Sequence, residues 1–104
     1  MTQNSSDYGL HGKFTAKSGH RDELASILLQ AAEALGNNPD CLNYIIGVTP
    51  DADTIWVSEV WTTKAAHDAS LEPADIRQLI TQAMPLIASM SDQLELQVLG
   101  GKGV

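Results

Sequence analysis

Only four residues, Pro50-Asp51-Ala52-Asp53, separate two strand-like runs, Cys41 to Thr49 and Thr54 to Thr62. A parallel crossover needs a dozen or more residues, so a connector this short joins an antiparallel hairpin. Whatever else the chain builds must pack around that hairpin.

Upstream, Tyr8 to Ala16 alternates: Tyr8, Leu10, Gly12, Phe14 and Ala16 share one face, and Gly9, His11, Lys13 and Thr15 the other. Lys17-Ser18-Gly19 breaks the pattern. From His20 the apolar residues Leu24, Ile27, Leu28, Ala31 and Leu35 recur at helical spacing, with Asp22 and Glu23 in the first turn and Gly36 just past the end. After the turn cluster Asn37-Asn38-Pro39-Asp40 and the hairpin, Thr62 or Thr63 can cap a short helix running through His67 to Leu71. A second helical pattern follows Glu72-Pro73 in Ile76, Leu79, Ile80, Ala83, Ile87 and Met90. Pro85 should kink or break it, because its ring crowds the carbonyl of Thr81. Leu94, Leu96 and Val98 then alternate with polar residues before a glycine-rich tail.

The order strand, helix, strand, strand, helix, strand predicts an α+β fold: a ferredoxin-like βαββαβ domain with a four-stranded antiparallel sheet and its helices on one face. At 104 residues the chain makes one domain, expected over residues 8–104, with residues 1–7 a loose tail. No further element remains to cover the other sheet face, where Ile45, Trp56, Val60 and Leu99 would project. An exposed apolar face of that size marks an interface, so a homodimer packed sheet to sheet is expected. The alternative is a monomer in which strand twist and the two tails hide those side chains.

Thirteen acidic against six basic residues give a net charge of −7, which repels phosphate backbones and anionic lipid; nucleic acid is not an expected partner. Lys13, Lys17, His20 and Arg21 cluster at the first strand-helix junction, as a solvated junction rather than an anion site, since a helix start attracts anions only weakly by itself. No apolar stretch approaches the roughly 20 residues of a membrane span, and the N-terminus lacks the pattern of a signal peptide, so no membrane is expected and the cytoplasm is the expected location. Cys41 is the lone cysteine, read as a small buried hydrophobe beside Asp40, whose charge would raise the thiol pKa. GxGxxG, P-loop, Gly-x-Ser-x-Gly and Cys or His metal spacings are all lacking, which leaves nucleotide binding, zinc chemistry and acyl transfer unsupported.

The chemistry concentrates in Trp56-Val57-Ser58-Glu59-Val60-Trp61-Thr62-Thr63-Lys64-Ala65-Ala66-His67. Alternation puts Ile55, Val57, Glu59 and Trp61 toward the helices, and Trp56, Ser58 and Val60 toward the presumed interface. Glu59 then enters an apolar space, where lost solvation raises its pKa and suits it to general base catalysis; alternatively it lies near a sheet edge and pairs with Lys or Arg. His67, one and a half turns into the next helix, either faces the same pocket or is held structurally at the helix-loop junction. Asn43, Tyr44 and Arg77 are further polar candidates for lining a cavity.

The run from Trp56 to His67, with Met84-Pro85-Leu86-Ile87 beyond it, resembles the antibiotic biosynthesis monooxygenase family over roughly Tyr8 to Val104. The resemblance implies a dimeric α/β barrel of two ferredoxin-like subunits. It also implies oxygenation without a cofactor, in which an electron-rich quinol or anthrone is deprotonated and its anion reduces O₂ itself. Carried over by position, Trp61 would shape the pocket, His67 would accept or orient the proton, and Asn43 or Tyr44 would hold oxygen. Haem-degrading relatives use an Asn on the first strand and a later His; here the strand offers His11 and no second His follows His67. A non-catalytic dimeric ligand-binding or stress-related module of the same fold is the alternative.

Overall fold

The computed structural model describes residues 7–104. The elements are β1 (Asp7–Ala16), α1 (Arg21–Ala34), β2 (Cys41–Val48), β3 (Thr54–Trp61), α2 (Lys64–Ala69), α3 (Ala74–Ala83) and β4 (Ile87–Val98), with single 3₁₀ turns at Leu35–Asn37 and Met84–Leu86. The strands form one sheet in the order β2-β3-β1-β4, every neighbouring pair antiparallel. This is the ferredoxin-like βαββαβ plan, with α2 and α3 together filling the second helical position. Of the expected tail, residues 1–6 lie outside the described residues, while Asp7 already pairs with Val98.

α1 presents Leu24, Ile27 and Leu28 on one stripe, and these meet Ala16, Ile55 and Val57 from the sheet. Leu24 and Ile55 are 0% exposed; full burial of such side chains stabilises by about 1.5–3 kcal/mol each. Asp22 and Glu23 sit in its first turn, where the helix dipole favours negative charge. Two of the four basic residues beside it serve the fold: Arg21 donates to the carbonyls of Thr49 and Asp51, 3.3 and 2.9 Å away, and His20 pairs with Glu23.

The helical pattern after Pro73 ends earlier than its periodicity suggests. α3 stops at Ala83, Pro85 occupies the 3₁₀ turn, and Ile87 and Met90 belong to β4, paired with Ala16 and Phe14. Pro85 removes a helical N–H and blocks the turn before it, so the apolar residues beyond it serve a strand.

The sheet face away from the helices carries Ile45, Leu94 and Leu96, 58%, 56% and 50% exposed, with Trp56 and Val60 partly buried. Trp56 owes its cover to His11, which stacks on it at 5.1 Å between ring centroids while its Nδ1 lies 2.7 Å from Ser58 Oγ. Leu99, just past β4, is 80% exposed. Among the described residues no helix is long and apolar enough to cross a membrane.

Candidate functional site

Between the sheet and the helices lies a cavity of about 410 Å³, within the range that holds small-molecule ligands. Its walls are mostly apolar, with Leu10, Phe14 and Val57 from the sheet and Ile27, Ile76 and Leu79 from the helices. The polar groups are few, and two of them meet at one end.

β3 places Glu59 on the inner face, flanked in register by Leu10 of β1 and Tyr44 of β2. Trp61, two residues on and 0% exposed, donates its indole N–H to Glu59 Oε1 at 3.0 Å. Burial pushes the Glu59 carboxyl above the usual carboxylate range, opposed by the Trp61 hydrogen bond and by the His67 imidazolium when that ring is protonated. Of the two readings of Glu59, the structure selects the buried one; its partners are an indole and an imidazole, not Lys or Arg.

Thr63 begins α2, its hydroxyl accepting the Ala66 N–H at 3.0 Å. That cap aims His67 at the cavity, edge-on to Trp61 at 5.5 Å and tilted over Tyr8 at 5.7 Å. His67 Nε2 lies 3.7 Å from Glu59 Oε1, and Nδ1 lies 3.0 Å from Asp68 Oδ1. Asp68 is held below the usual carboxylate range by its hydrogen bonds to His67 and Lys64. With the ring proton on Nδ1, where Asp68 accepts it, the Nε2 lone pair faces Glu59 and the cavity. The α2 end is closed by the Ser70 hydroxyl, which donates to the His67 carbonyl.

Tyr44 also lines the cavity, its phenol pushed well above the usual range by burial first and then by the charges of Glu59 and Cys41. Asn43 and Arg77 do not line it. Strand alternation that turns Tyr44 inward turns Asn43 to the other face, in register with Val60. Arg77 follows the buried Ile76 by one residue, about 100° around α3, and is exposed. Cys41 is only partly buried, and its thiol is raised by burial and by Glu59 rather than by the adjacent Asp40.

Asp68, Ser70 and Tyr8 went unnoticed in the sequence as parts of the site. Asp68 had a signal, adjacency to the helix histidine. Tyr8 had none, since its hydroxyl reaches Glu95, 87 residues away, at 2.8 Å; burial and that carboxylate push its phenol to about 12. Among the described residues no cluster of three or more His, Cys, Asp or Glu could hold a metal ion.

A family model for antibiotic biosynthesis monooxygenases matches residues 7–82. Among solved structures, a provisionally named antibiotic biosynthesis monooxygenase from Chloroflexus aurantiacus is 39% identical, over 92% of this chain and 96% of that one, with a TM-score of 0.86. One from Caulobacter crescentus under the same provisional name is 15% identical, over 92% of each chain, at a TM-score of 0.83. A Pseudomonas aeruginosa protein is 19% identical, over 95% of this chain and 100% of its own, at 0.82. The last two show a shared fold. No protein of curated function matches the sequence significantly.

Proposed function

This chain belongs to the antibiotic biosynthesis monooxygenase family, and on that premise we propose that it oxygenates a quinol- or anthrone-like aromatic with O₂, without a cofactor. The observation that carries this reading is the pairing of His67 and Glu59, 3.7 Å apart, at one end of an otherwise apolar cavity. A gap of that size is too long for a hydrogen bond and leaves a hydroxyl or acidic C–H room to approach both groups.

In this reading His67 Nε2 takes a proton from the substrate, and Glu59 and Asp68 stabilise the imidazolium from either side. The aromatic anion passes an electron to O₂, and the radicals combine at carbon. For an anthrone-type methylene the O–O bond then breaks, a carbonyl remains on the ring, and the departing oxygen leaves as water with the two methylene hydrogens. Electrons come from the substrate, so the chain's residues need only move protons and exclude solvent. The apolar walls favour a neutral aromatic over a charged metabolite. A second copy of the chain, in this proposal, covers the sheet face bearing Ile45, Trp56, Leu94 and Leu96.

Oxygen uptake with menadiol or an anthrone tests the activity. Wild type should consume O₂ faster than buffer, and His67→Ala should lose about 10²-fold or more of the excess rate. Equal uptake by wild type, His67→Ala and buffer removes the proposal for those substrates.

A further inference from the structure

The β1–β4 pairing shifts register at two points, and one of them, opposite Gly12, lies on the cavity wall. His11 pairs with Leu94 but Lys13 pairs with Ser91, so Gly12 alone on β1 stands opposite Asp92 and Gln93. This is a β-bulge, and Asp92 within it has φ 51, a left-handed conformation uncommon for a residue other than glycine. The extra residue re-aims the neighbouring side chain, and Gln93 lines the cavity. Its side chain lies over Gly12, where an added Cβ would stand 3.4 Å from Gln93 Cγ and 3.6 Å from Nε2. Among the described residues the Gln93 amide has no hydrogen-bond partner.

The bulge at Asp92, the glycine opposite it and the Gln93 amide above that glycine fall at one place on the cavity wall. They converge on one polar group in an apolar cavity. The location matters as well. Gln93 is two strands from Glu59 across the order β3-β1-β4, and one inward-facing row along, since Gly12 pairs with Val57 and Leu10 with Glu59. At about 4.8 Å per strand the two backbones stand roughly 10 Å apart laterally. Leu10, Phe14 and Val57 make the wall near them apolar.

We propose that Gln93 is a specificity-determining residue: its amide hydrogen-bonds a second oxygen of the substrate, on the side away from His67 and Glu59. The cavity thereby prefers an aromatic oxygenated at two ends over one oxygenated at a single end. A primary amide both donates and accepts, so it serves a ring hydroxyl before reaction and a ring carbonyl after it. The inference rests on the reading of this cavity as the substrate site.

Anaerobic calorimetry separates the two. The ligands are 1,4-dihydroxy-2,3-dimethylnaphthalene and 2,3-dimethyl-1-naphthol, which differ by one oxygen; excluding O₂ holds the diol at the binding stage. Gln93→Met keeps the length without the amide, and because Gln93 is exposed its melting temperature should match wild type. The expected result is about a tenfold loss of diol affinity with naphthol affinity unchanged. Equal changes for both ligands, or none for the diol, overturn the assignment of Gln93 while leaving the substrate site standing. If wild type binds neither ligand, the quinol reading of the cavity falls, and Gln93 with it.

Discussion

His67 Nε2 stands 3.7 Å from Glu59 Oε1, the same oxygen that accepts the Trp61 indole N–H. The carboxylate therefore has partners on two sides, yet burial still raises its pKa, so lost solvation outweighs them. The consequence for stability has a definite sign. Between the ordinary glutamate value and the raised one, the folded chain holds a proton that the unfolded chain has released, so this group's contribution falls as pH rises. Glu59→Gln is neutral and keeps an acceptor for Trp61. Its melting temperature should match wild type below the ordinary glutamate range and exceed it increasingly as pH rises through the raised value. A difference that does not change with pH would count against burial as the dominant effect.

Trp61 holds the carboxylate through one N–H, and that bond favours the ionised form. Trp61→Ala is uninformative, because emptying a fully buried tryptophan site costs about 3–5 kcal/mol, much of a domain's stability. Trp61→Phe keeps most of the volume and removes the donor. The Glu59 carboxyl should then move further up. If ionised Glu59 supports the imidazolium, the acidic limb of kcat/KM should shift to higher pH, and an unmoved limb would assign that titration elsewhere.

How far the sequence could be read depends on the range of the signals involved. Alternation and helical spacing are local, and they placed the hairpin, the inward face of Glu59 and Trp61, and the apolar stripe of α1. Pro85 announced a break, but the periodicity of Ile87 and Met90 looked helical because Pro85 acts through the turn before it. Alternation without a fixed phase could not separate Asn43 from Tyr44, since the shift between Cys41 and Asn43 reaches the partner strand only in the folded sheet. Gln93 was hidden for the same reason: a bulge changes which face a side chain takes, and nothing in Asp92-Gln93 announces it.

Thr63 links local capping to chemistry. Its hydroxyl satisfies one of the orphan N–H groups of α2, which has only six residues and too few turns to persist unaided. Thr63→Ala should cost about 1 kcal/mol, felt as fraying of the segment that carries His67. Turnover should fall more than global stability does, and Thr63→Ser should restore both. Hydrogen exchange at the His67 amide, bonded to the Thr63 carbonyl at 3.2 Å, reads the fraying directly. Equal losses of turnover and stability would make the cap merely structural.

The second sheet face separates assembly from chemistry. Trp56 and His67 lie on opposite sides of the sheet, so a substitution at one need not disturb the other. If two copies meet through Ile45, Trp56, Leu94 and Leu96, Trp56→Ala removes a central aromatic anchor and Ile45→Lys places a charge where the partner excludes water. Each should weaken dimerisation by roughly thirtyfold, about 2 kcal/mol, with His67→Ala leaving it unchanged. Sedimentation equilibrium at micromolar concentration should return twice the 11.1 kDa chain mass for wild type and His67→Ala, and a concentration-dependent decline for the other two. A wild-type mass of 11.1 kDa would leave the apolar face without a second copy.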